Sequence, residues 1–254
     1  MHRQGVFPVA ATVPHAGPRP ARTSEQPERN RWLAAARDRW PLIALLLLAA
    51  GLRFGTIAHQ SFWYDEAFTA VHVLHPGLGA TLHGVLHTES TPPLYYVLAW
   101  VWTRVLGDGP VALRSLSTLA GLGLVIVAWA VGNTLRGRRT AIWLAALAAT
   151  SPLLVWYSQE ARAYELFALL AAVSFWFFVR ARMAPEARPR DLWAWAAFSV
   201  LALLTFYFAA FLVAAEAVLL LAGPNVSPDA RRRHLPAAGA VFVAALALIP
   251  LVVT

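Results

Sequence analysis

Cysteine and lysine are both missing from the 254-residue sequence, and only 13% of its residues are charged. The absence of cysteine excludes disulfide bonds and thiolate metal sites. The shortage of charge excludes an ordinary water-soluble domain, in which about a quarter of the residues are charged. Apolar sequence is abundant instead: 59% of the residues are hydrophobic, and the mean hydropathy is +0.56. Because apolar runs of membrane-crossing length recur, the composition predicts an all-α, polytopic transmembrane bundle.

All 21 basic residues are arginine, and they give a net charge of +8. Since most of them flank hydrophobic runs, we interpret them as topology signals and expect no nucleic-acid partner. Residues 1–40 are rich in proline and arginine, which predicts a disordered basic tail in the cytoplasm. The first apolar run begins too late and is too long for a cleaved signal peptide. We therefore expect a multi-pass protein of the cell (plasma) membrane with a cytoplasmic N-terminus.

Arginine positions and apolar length together predict about seven spans in residues 41–254. The apolar run from residue 192 to 222 has arginines at both ends, so we divide it into two short helices with an external tip at Thr205–Phe208. The predicted spans are Pro41–Ala58, Pro110–Leu135, Thr140–Tyr157, Ala163–Val179, the two halves of Leu192–Ala222, and Leu235–Thr254. Four arginines fall near the outer face and are functional candidates, because charge is costly at membrane depth: Arg53, Arg104, Arg114 and Arg162.

Residues 59–109 form the predicted first extracytoplasmic loop. Short helices are expected at Glu66–Leu74, Leu78–Leu86 and Pro93–Leu106, and the last is closer in length to an interfacial helix than to a span. The loop also carries adjacent carboxylates, Asp65 and Glu66, directly after three aromatic residues. Sugar transfer to a hydroxyl needs a base, and a carboxylate beside aromatic rings at the membrane surface suits that task. The alternative is structural, with Asp65 as a helix N-cap and Glu66 in the first turn.

The second external turn, SQEARAY at residues 158–164, contains the candidate phosphate ligand Arg162. A guanidinium binds phosphate bidentately, although an ion pair at a helix end explains this arginine equally well. Arg53 is a weaker candidate, because it could simply reach the lipid head groups. Glu216 lies in the middle of the sixth predicted span and should face the bundle, for a proton path or for packing.

Five histidines in the first loop indicate a competing chemistry: His59, His72, His75, His83 and His87. His83 and His87 are four residues apart, which places both on one face of a helix, as zinc ligands require. With Asp65, Glu66 or Glu89 they could form the site of a zinc-dependent membrane hydrolase. The sequence has no HExxH motif. Our prediction is that no metal is bound.

The order of these motifs resembles a known family. WYDEA follows the first span, and TPPLYYVL, LRSLSTLAG, RGRR, SPLLVWYSQEARAYELF and TFYF come after it in that order. This is similar to the N-terminal membrane module of the GT-C glycosyltransferases, in the bacterial branch related to protein O-mannosyltransferases and the lipid A aminoarabinose transferase. The likeness covers about residues 32–254. Two departures are Thr91, where the family often has histidine, and the length, since relatives continue into further spans; we expect a chain incomplete at its C-terminus.

The resemblance implies a polyprenyl-phosphate-linked sugar donor, an acceptor on a lipid, glycan or protein, inversion at the anomeric carbon, and transfer on the extracytoplasmic face without a cofactor. It places the catalytic carboxylate at Asp65, supported by Glu66. Candidate residues for binding the donor are Arg162, Glu160, Tyr164, Tyr95, His59 and Arg53. A non-enzymatic transporter or assembly partner for lipid-linked sugars remains the main alternative; it would depend on Glu216 and the aromatic tip instead.

Overall fold

A computed structural model of the chain describes residues 25–59, 61–88, 91–184, 188–224 and 226–250, with side chains from residue 39 onward. The described residues form helices and connecting turns and contain no strand, which confirms the predicted all-α class. The described residues from Pro41 onward form one compact unit, and the contacts below belong to it. The helices are α1 (Glu25–Phe54), α2 (Tyr64–Val73), α3 (Leu78–Thr88), α4 (Leu94–Leu106), α5 (Pro110–Arg136), α6 (Arg138–Thr150), α7 (Pro152–Tyr157), α8 (Ala163–Met183), α9 (Pro189–Leu203), α10 (Ala209–Ala222) and α11 (Pro228–Leu248).

Helix α1 begins at Glu25, inside the segment that was predicted to be disordered. Residues 25–40 contain many alanine, arginine and glutamate residues, which favour helix, and Pro27 falls in the first turn, where proline is tolerated. The structure therefore differs from the predicted disorder over residues 25–40. The remainder of the predicted tail, residues 1–24, lies outside the described residues.

The three short helices expected in residues 59–109 are present as α2, α3 and α4. The division of the run 192–222 is also observed, because α9 ends at Leu203 and α10 begins at Ala209. Where these elements lie relative to a bilayer stays a prediction.

In the described part of the chain, two helices are long and apolar enough to cross a membrane: α5 and α8. The other five predicted spans stay predictions. One of them is broken, because α6 ends at Thr150 and Pro152 opens the separate helix α7. Helices α9 and α10 are each about 20 Å long, shorter than a bilayer core of about 30 Å. The last four residues of the predicted seventh span, 251–254, lie outside the described residues.

Helix α5 is the centre of the packing, since it contacts α6 and α8, and α8 in turn contacts α9, which packs on α11. Gly137 makes the tight turn into α6 with φ +81°, a conformation that favours glycine. Gly132 allows α5 and α6 to approach each other closely, because an added Cβ would lie 2.6 Å from the Ala141 Cα of α6. At the same end, Trp176 Nε1 donates to Thr134 Oγ1 at 3.0 Å and joins the C-terminal parts of α8 and α5.

The other end of the bundle carries the polar motifs. The Leu94 amide at the start of α4 donates to the Leu204 carbonyl at the α9–α10 tip, 3.1 Å away. Phe206 of the tip packs edge-on against Tyr164 at the start of α8, with 5.7 Å between ring centroids. The first turns of α4 and α8 and the aromatic tip therefore meet at one end, opposite the Arg136–Gly137 turn.

Candidate active site at the end of the bundle

The adjacent carboxylates lie in the first turn of α2, where the helix dipole favours negative charge. The N-cap residue is Trp63, and no side chain caps the helix. The alternative in which Asp65 acts as the N-cap is therefore wrong: the helix begins at Tyr64, two residues earlier than that interpretation requires. Successive helix positions point about 100° apart, so the two side chains enter different surroundings.

Glu66 points into the bundle and forms a bidentate ion pair with Arg114 of α5. Arg114 Nε lies 2.8 Å from Glu66 Oε1, and Nη2 lies 2.6 Å from Oε2. The Glu66 side chain is 1% exposed and that of Arg114 is 3% exposed. Oε1 also accepts a hydrogen bond from the Ala161 amide at 2.9 Å. Both oxygens are thus occupied, which leaves this carboxylate poorly placed to accept a proton from a substrate.

Arg114 extends the same network to the segment after α1. Its Nη1 donates to the Ile57 carbonyl at 2.9 Å, and its Nη2 donates to the Ser61 carbonyl at 3.2 Å. One ion pair therefore connects the α1–α2 segment, α2, α5 and the 158–162 turn. A buried pair of this kind is stable because each charge has several geometrically good partners.

Asp65 is half-buried, and no described residue makes a hydrogen bond or an ion pair with its carboxylate. Its backbone carbonyl accepts a hydrogen bond from Arg162 Nη1 at 3.2 Å. The same Nη1 donates to the Tyr96 hydroxyl, also at 3.2 Å. Asp65 and Arg162, predicted as base and phosphate ligand, are therefore neighbours although they are 97 residues apart. Tyr96, which the sequence interpretation missed, belongs to the same group.

The backbone of the 158–162 turn is held by side chains of α5. Thr118 Oγ1 donates to the Ser158 carbonyl at 2.8 Å, and Ser117 Oγ donates to the Arg162 carbonyl at 3.3 Å. The hydroxyl of Tyr95, a predicted donor ligand, lies 3.3 Å from Ser117 Oγ. Tyr95 is fully buried, so the structure places it behind Arg162 as a support.

Glu160 is the most isolated polar group of the turn. Its side chain is buried, and neither carboxylate oxygen has a hydrogen bond of normal geometry from a described residue. Burial raises the pKa of Glu160, and the negative charges of Glu66 and Asp65 add to the rise, while the Trp156 indole and Arg162 oppose it. With its raised pKa, the Glu160 carboxyl keeps its proton to a higher pH than an exposed glutamate does.

Arg53 lies inside the bundle and does not reach outward to head groups. Its side chain is fully buried, with Nη1 2.9 Å from the Ala149 carbonyl and Nη2 3.0 Å from the Ala148 carbonyl. Those carbonyls end α6, where the following proline leaves them without helical donors. The structure thus places Arg53 as a cationic cap of α6. Gly121 of α5 adjoins its Nε and the buried Glu165 carboxylate.

The remaining predicted residues lie at the margin of this group. Tyr164 is half-buried and packs against Tyr157 with 4.9 Å between ring centroids, while Arg162 lies 6.0 Å over its ring. His59 is exposed, just beyond the end of α1. Half-buried aromatic rings and exposed imidazole rings at such a margin are suited to stacking on sugar rings.

The histidines do not assemble with acidic residues where the structure describes them. His83 and His87 do share a face of α3, with ring centroids 4.3 Å apart. No three His, Asp or Glu side chains within the described ranges come together as a metal site requires. Glu89, one of the ligands considered for zinc, lies outside those ranges.

Glu216 faces the bundle, as predicted, and is 2% exposed. Its Oε2 accepts hydrogen bonds from Trp195 Nε1 at 2.8 Å and from Ser174 Oγ at 2.9 Å. Ser174 Oγ also lies 2.9 Å from Ser199 Oγ. Through Oε2 the carboxylate joins α8, α9 and α10, which fits the packing alternative, while Oε1 has no hydrogen-bond partner among the described residues.

The profile of one protein family matches residues 90–253, which is more than half of the chain. That family is described as dolichyl-phosphate-mannose-protein mannosyltransferase. The chain belongs to this family. No curated protein and no solved structure matches the chain. Members of the mannosyltransferase family are integral membrane glycosyltransferases of the GT-C kind that use a lipid-linked sugar, and this assignment applies to the chain.

The matched range includes α4 to α11 and the 158–162 turn, and it begins after the carboxylate pair. The family match therefore includes the region around Arg162, whereas Asp65 lies outside the matched residues. Arg114, the partner of Glu66, was predicted only as an arginine costly to place at membrane depth. That cost was the one signal of its role, since nothing in the sequence near Arg114 indicates its partner 48 residues earlier.

Proposed function

We propose that this mannosyltransferase-family protein, of the bacterial branch, moves a sugar from a polyprenyl-phosphate carrier to an acceptor hydroxyl on the extracytoplasmic side of the membrane. Asp65 takes the proton of the acceptor hydroxyl as its oxygen bonds to the anomeric carbon. The bond from that carbon to the phosphate oxygen breaks in the same step, and polyprenyl phosphate leaves. A single displacement of this type inverts the anomeric centre.

The observation that carries the proposal is the division of labour in the carboxylate pair. Glu66 is saturated by Arg114 and the Ala161 amide, whereas the Asp65 carboxylate, one residue away, has no partner among the described side chains. The engaged carboxylate anchors α2, and the other is left available as a base. A general base must reach a substrate proton, and a carboxylate without protein partners is better suited to that task than the fully paired Glu66.

Arg162 supplies the second requirement, a cation for the leaving phosphate. Its guanidinium lies beside the Asp65 backbone and the Tyr96 hydroxyl. In a site so poorly exposed to water, a positive charge interacts strongly with a developing phosphate dianion. Glu160, next to this guanidinium, would then serve in binding the donor, together with Tyr164 and His59 at the margin.

The distribution of arginines supports the extracytoplasmic assignment. The turns that carry arginine clusters, beginning with Arg136 and Arg138, lie at the end of α5 opposite Arg114. Since arginine-rich turns remain in the cytoplasm, the end that carries Asp65 and Arg162 would face outward.

A transfer assay in membranes tests the proposal. Wild-type protein with a polyprenyl-phosphate sugar and an acceptor should yield glycosylated acceptor and free polyprenyl phosphate. Asp65→Asn should lower kcat by about 10²- to 10⁴-fold, the usual contribution of a general base. It should leave the folded yield unchanged, because no residue in the described part of the chain bonds to the Asp65 carboxylate. Wild-type kcat in Asp65→Asn would exclude Asp65 as the base, and absence of transfer by wild-type protein would contradict the whole function.

A further inference from the structure

The C-terminal ends of α1 and α6 are both capped by side chains from distant parts of the chain. Arg53, in the last turn of α1, donates through Nη1 and Nη2 to the Ala149 and Ala148 carbonyls that end α6. In return Gln159, just after α7, donates through Nε2 to the end of α1. The acceptors are the Leu52 carbonyl at 3.0 Å, the Arg53 carbonyl at 3.1 Å and Thr56 Oγ1 at 2.6 Å.

The chemistry of these contacts requires an amide at position 159. Main-chain carbonyls only accept hydrogen bonds, so the nitrogen of the Gln159 amide must face Leu52 and Arg53. Thr56 Oγ1 donates to the Leu52 carbonyl at 3.2 Å, which leaves its lone pairs to accept from Gln159. The last carbonyls of a helix have no intrahelical donors, and Gln159 supplies them from a distant part of the chain.

The reciprocal capping bears on the candidate site because Gln159 is part of the 158–162 turn. The hydrogen bonds to the backbone of that turn described above come from α2 and α5, through Glu66, Ser117 and Thr118. Gln159 adds the tie to α1, whose end leads directly into the segment before Asp65. Loss of that tie would remove the bond between the turn and α1, so Arg162 would be held near Asp65 only by its own bond to the Asp65 carbonyl and by the contacts from other helices.

We propose that Gln159 is a positioning residue for the lipid-linked donor. Its amide binds the 158–162 turn to the end of α1 and thereby fixes the position of Arg162 relative to Asp65. This assignment rests on the proposed function, since it assumes that Arg162 binds the donor phosphate. Gln159 itself contacts no substrate in this account, and its effect passes through the turn.

This attachment of the turn to α1 can be measured without any activity. Because the chain has no cysteine, Phe54→Cys in α1 and Leu153→Cys in α7 give a unique pair of spin-labelling sites, and both side chains are exposed. In detergent or nanodiscs, the inter-label distance distribution should be narrow in the otherwise wild-type chain. Gln159→Glu should broaden it, because a carboxylate faces three oxygen acceptors and cannot donate to them.

Kinetics test the consequence for the donor. Gln159→Glu should raise the donor KM about 10-fold, a change that corresponds to the loss of roughly one hydrogen bond. The acceptor KM should not change. A residue that only stabilised the fold would lower the folded yield and leave the donor KM as it is.

Thr56 provides a milder variant and a matched control. Thr56→Val should broaden the inter-label distance distribution and raise the donor KM, as Gln159→Glu does. Thr56→Ser should behave as wild type. Thr150→Val removes a similar hydroxyl that bonds the carbonyl four residues earlier, at 2.8 Å, without touching the turn. It should shift neither readout. If Gln159→Glu fails to fold, Thr56→Val decides the question.

An unchanged distance distribution in Gln159→Glu, or a broadened one with an unchanged donor KM, would overturn the positioning role. Absence of transfer by the wild-type chain would instead refute the proposed function, while the distance measurement would still report on the attachment of the turn to α1. The two failures are therefore distinguishable.

Discussion

Glu66 and Arg114 form a buried bidentate ion pair across 48 residues, with N–O distances of 2.8 and 2.6 Å. The pair has a consequence for its neighbour. The guanidinium and the Ala161 amide occupy both oxygens of Glu66, whereas the adjacent Asp65 carboxylate has no hydrogen-bond partner among the described residues. Two neighbouring residues of the same charge thus have different tasks, one in holding the site together and one in the reaction that we propose.

Glu66→Gln should destabilise the protein by about 3–5 kcal/mol, because it leaves Arg114 as an uncompensated buried charge. Thermal unfolding followed by tryptophan fluorescence would measure the loss. Asp65→Asn is the matched control: it removes the neighbouring charge and should leave the Tm close to that of wild type. Equal Tm values for Glu66→Gln and wild type would contradict the anchoring role of the ion pair.

Arg162→Lys should raise the donor KM about 10-fold, because lysine keeps the charge and loses the planar fork that binds phosphate bidentately. Initial rates at varied donor concentration give the value. Arg139 is an exposed arginine in the first turn of α6, at the opposite end of the bundle, and Arg139→Lys should have the wild-type donor KM. A donor KM in Arg162→Lys that matched the control would remove Arg162 from the donor site.

Gly121→Ala should destabilise the bundle by about 1–3 kcal/mol, the usual cost of overpacking. The added Cβ would lie 2.9 Å from both Arg53 Nε and Glu165 Oε1, and 3.0 Å from the Ser158 Cβ. Gly51→Ala in α1 is the control, since its Cβ would meet nothing within 4 Å. Chemical or thermal denaturation measures the stability of both variants. Equal stability would contradict the prediction, because it would show that the side chains around Gly121 move aside without cost.

Glu160→Gln should raise the Tm at alkaline pH, and the gain should shrink as the pH falls. Burial raises the pKa of Glu160 in the folded protein above its unfolded value. The stability that this group contributes is therefore fully present below the unfolded pKa and is lost as the pH rises through the folded pKa. Tm values of variant and wild type between about pH 4 and about pH 8 test the sign. A difference that was constant with pH would contradict it.

Local features of the sequence predicted most of the helices. Pro110 and the RGRR turn mark the two ends of α5, and arginines on both sides of residues 192–222 required the break that the structure has before Ala209. The helical start of α1 was missed because proline and arginine content outweighed a stretch of good helix formers. Of the predicted spans, α5 and α8 alone meet the criteria of length and composition within the described residues.

The sequence by itself determined that this is a helical membrane protein and which polar residues gather at the ends of its helices. These properties depend on short-range features: apolar length, proline and glycine positions, and arginine next to apolar runs. Only the tertiary structure decided that Glu66 pairs with Arg114. It alone also decided that Arg53 donates to the carbonyls that end α6, and that Gln159 donates to the carbonyls that end α1. Each of these depends on two segments about 50 to 100 residues apart, and a buried charge takes whichever partner the packing brings within hydrogen-bond distance.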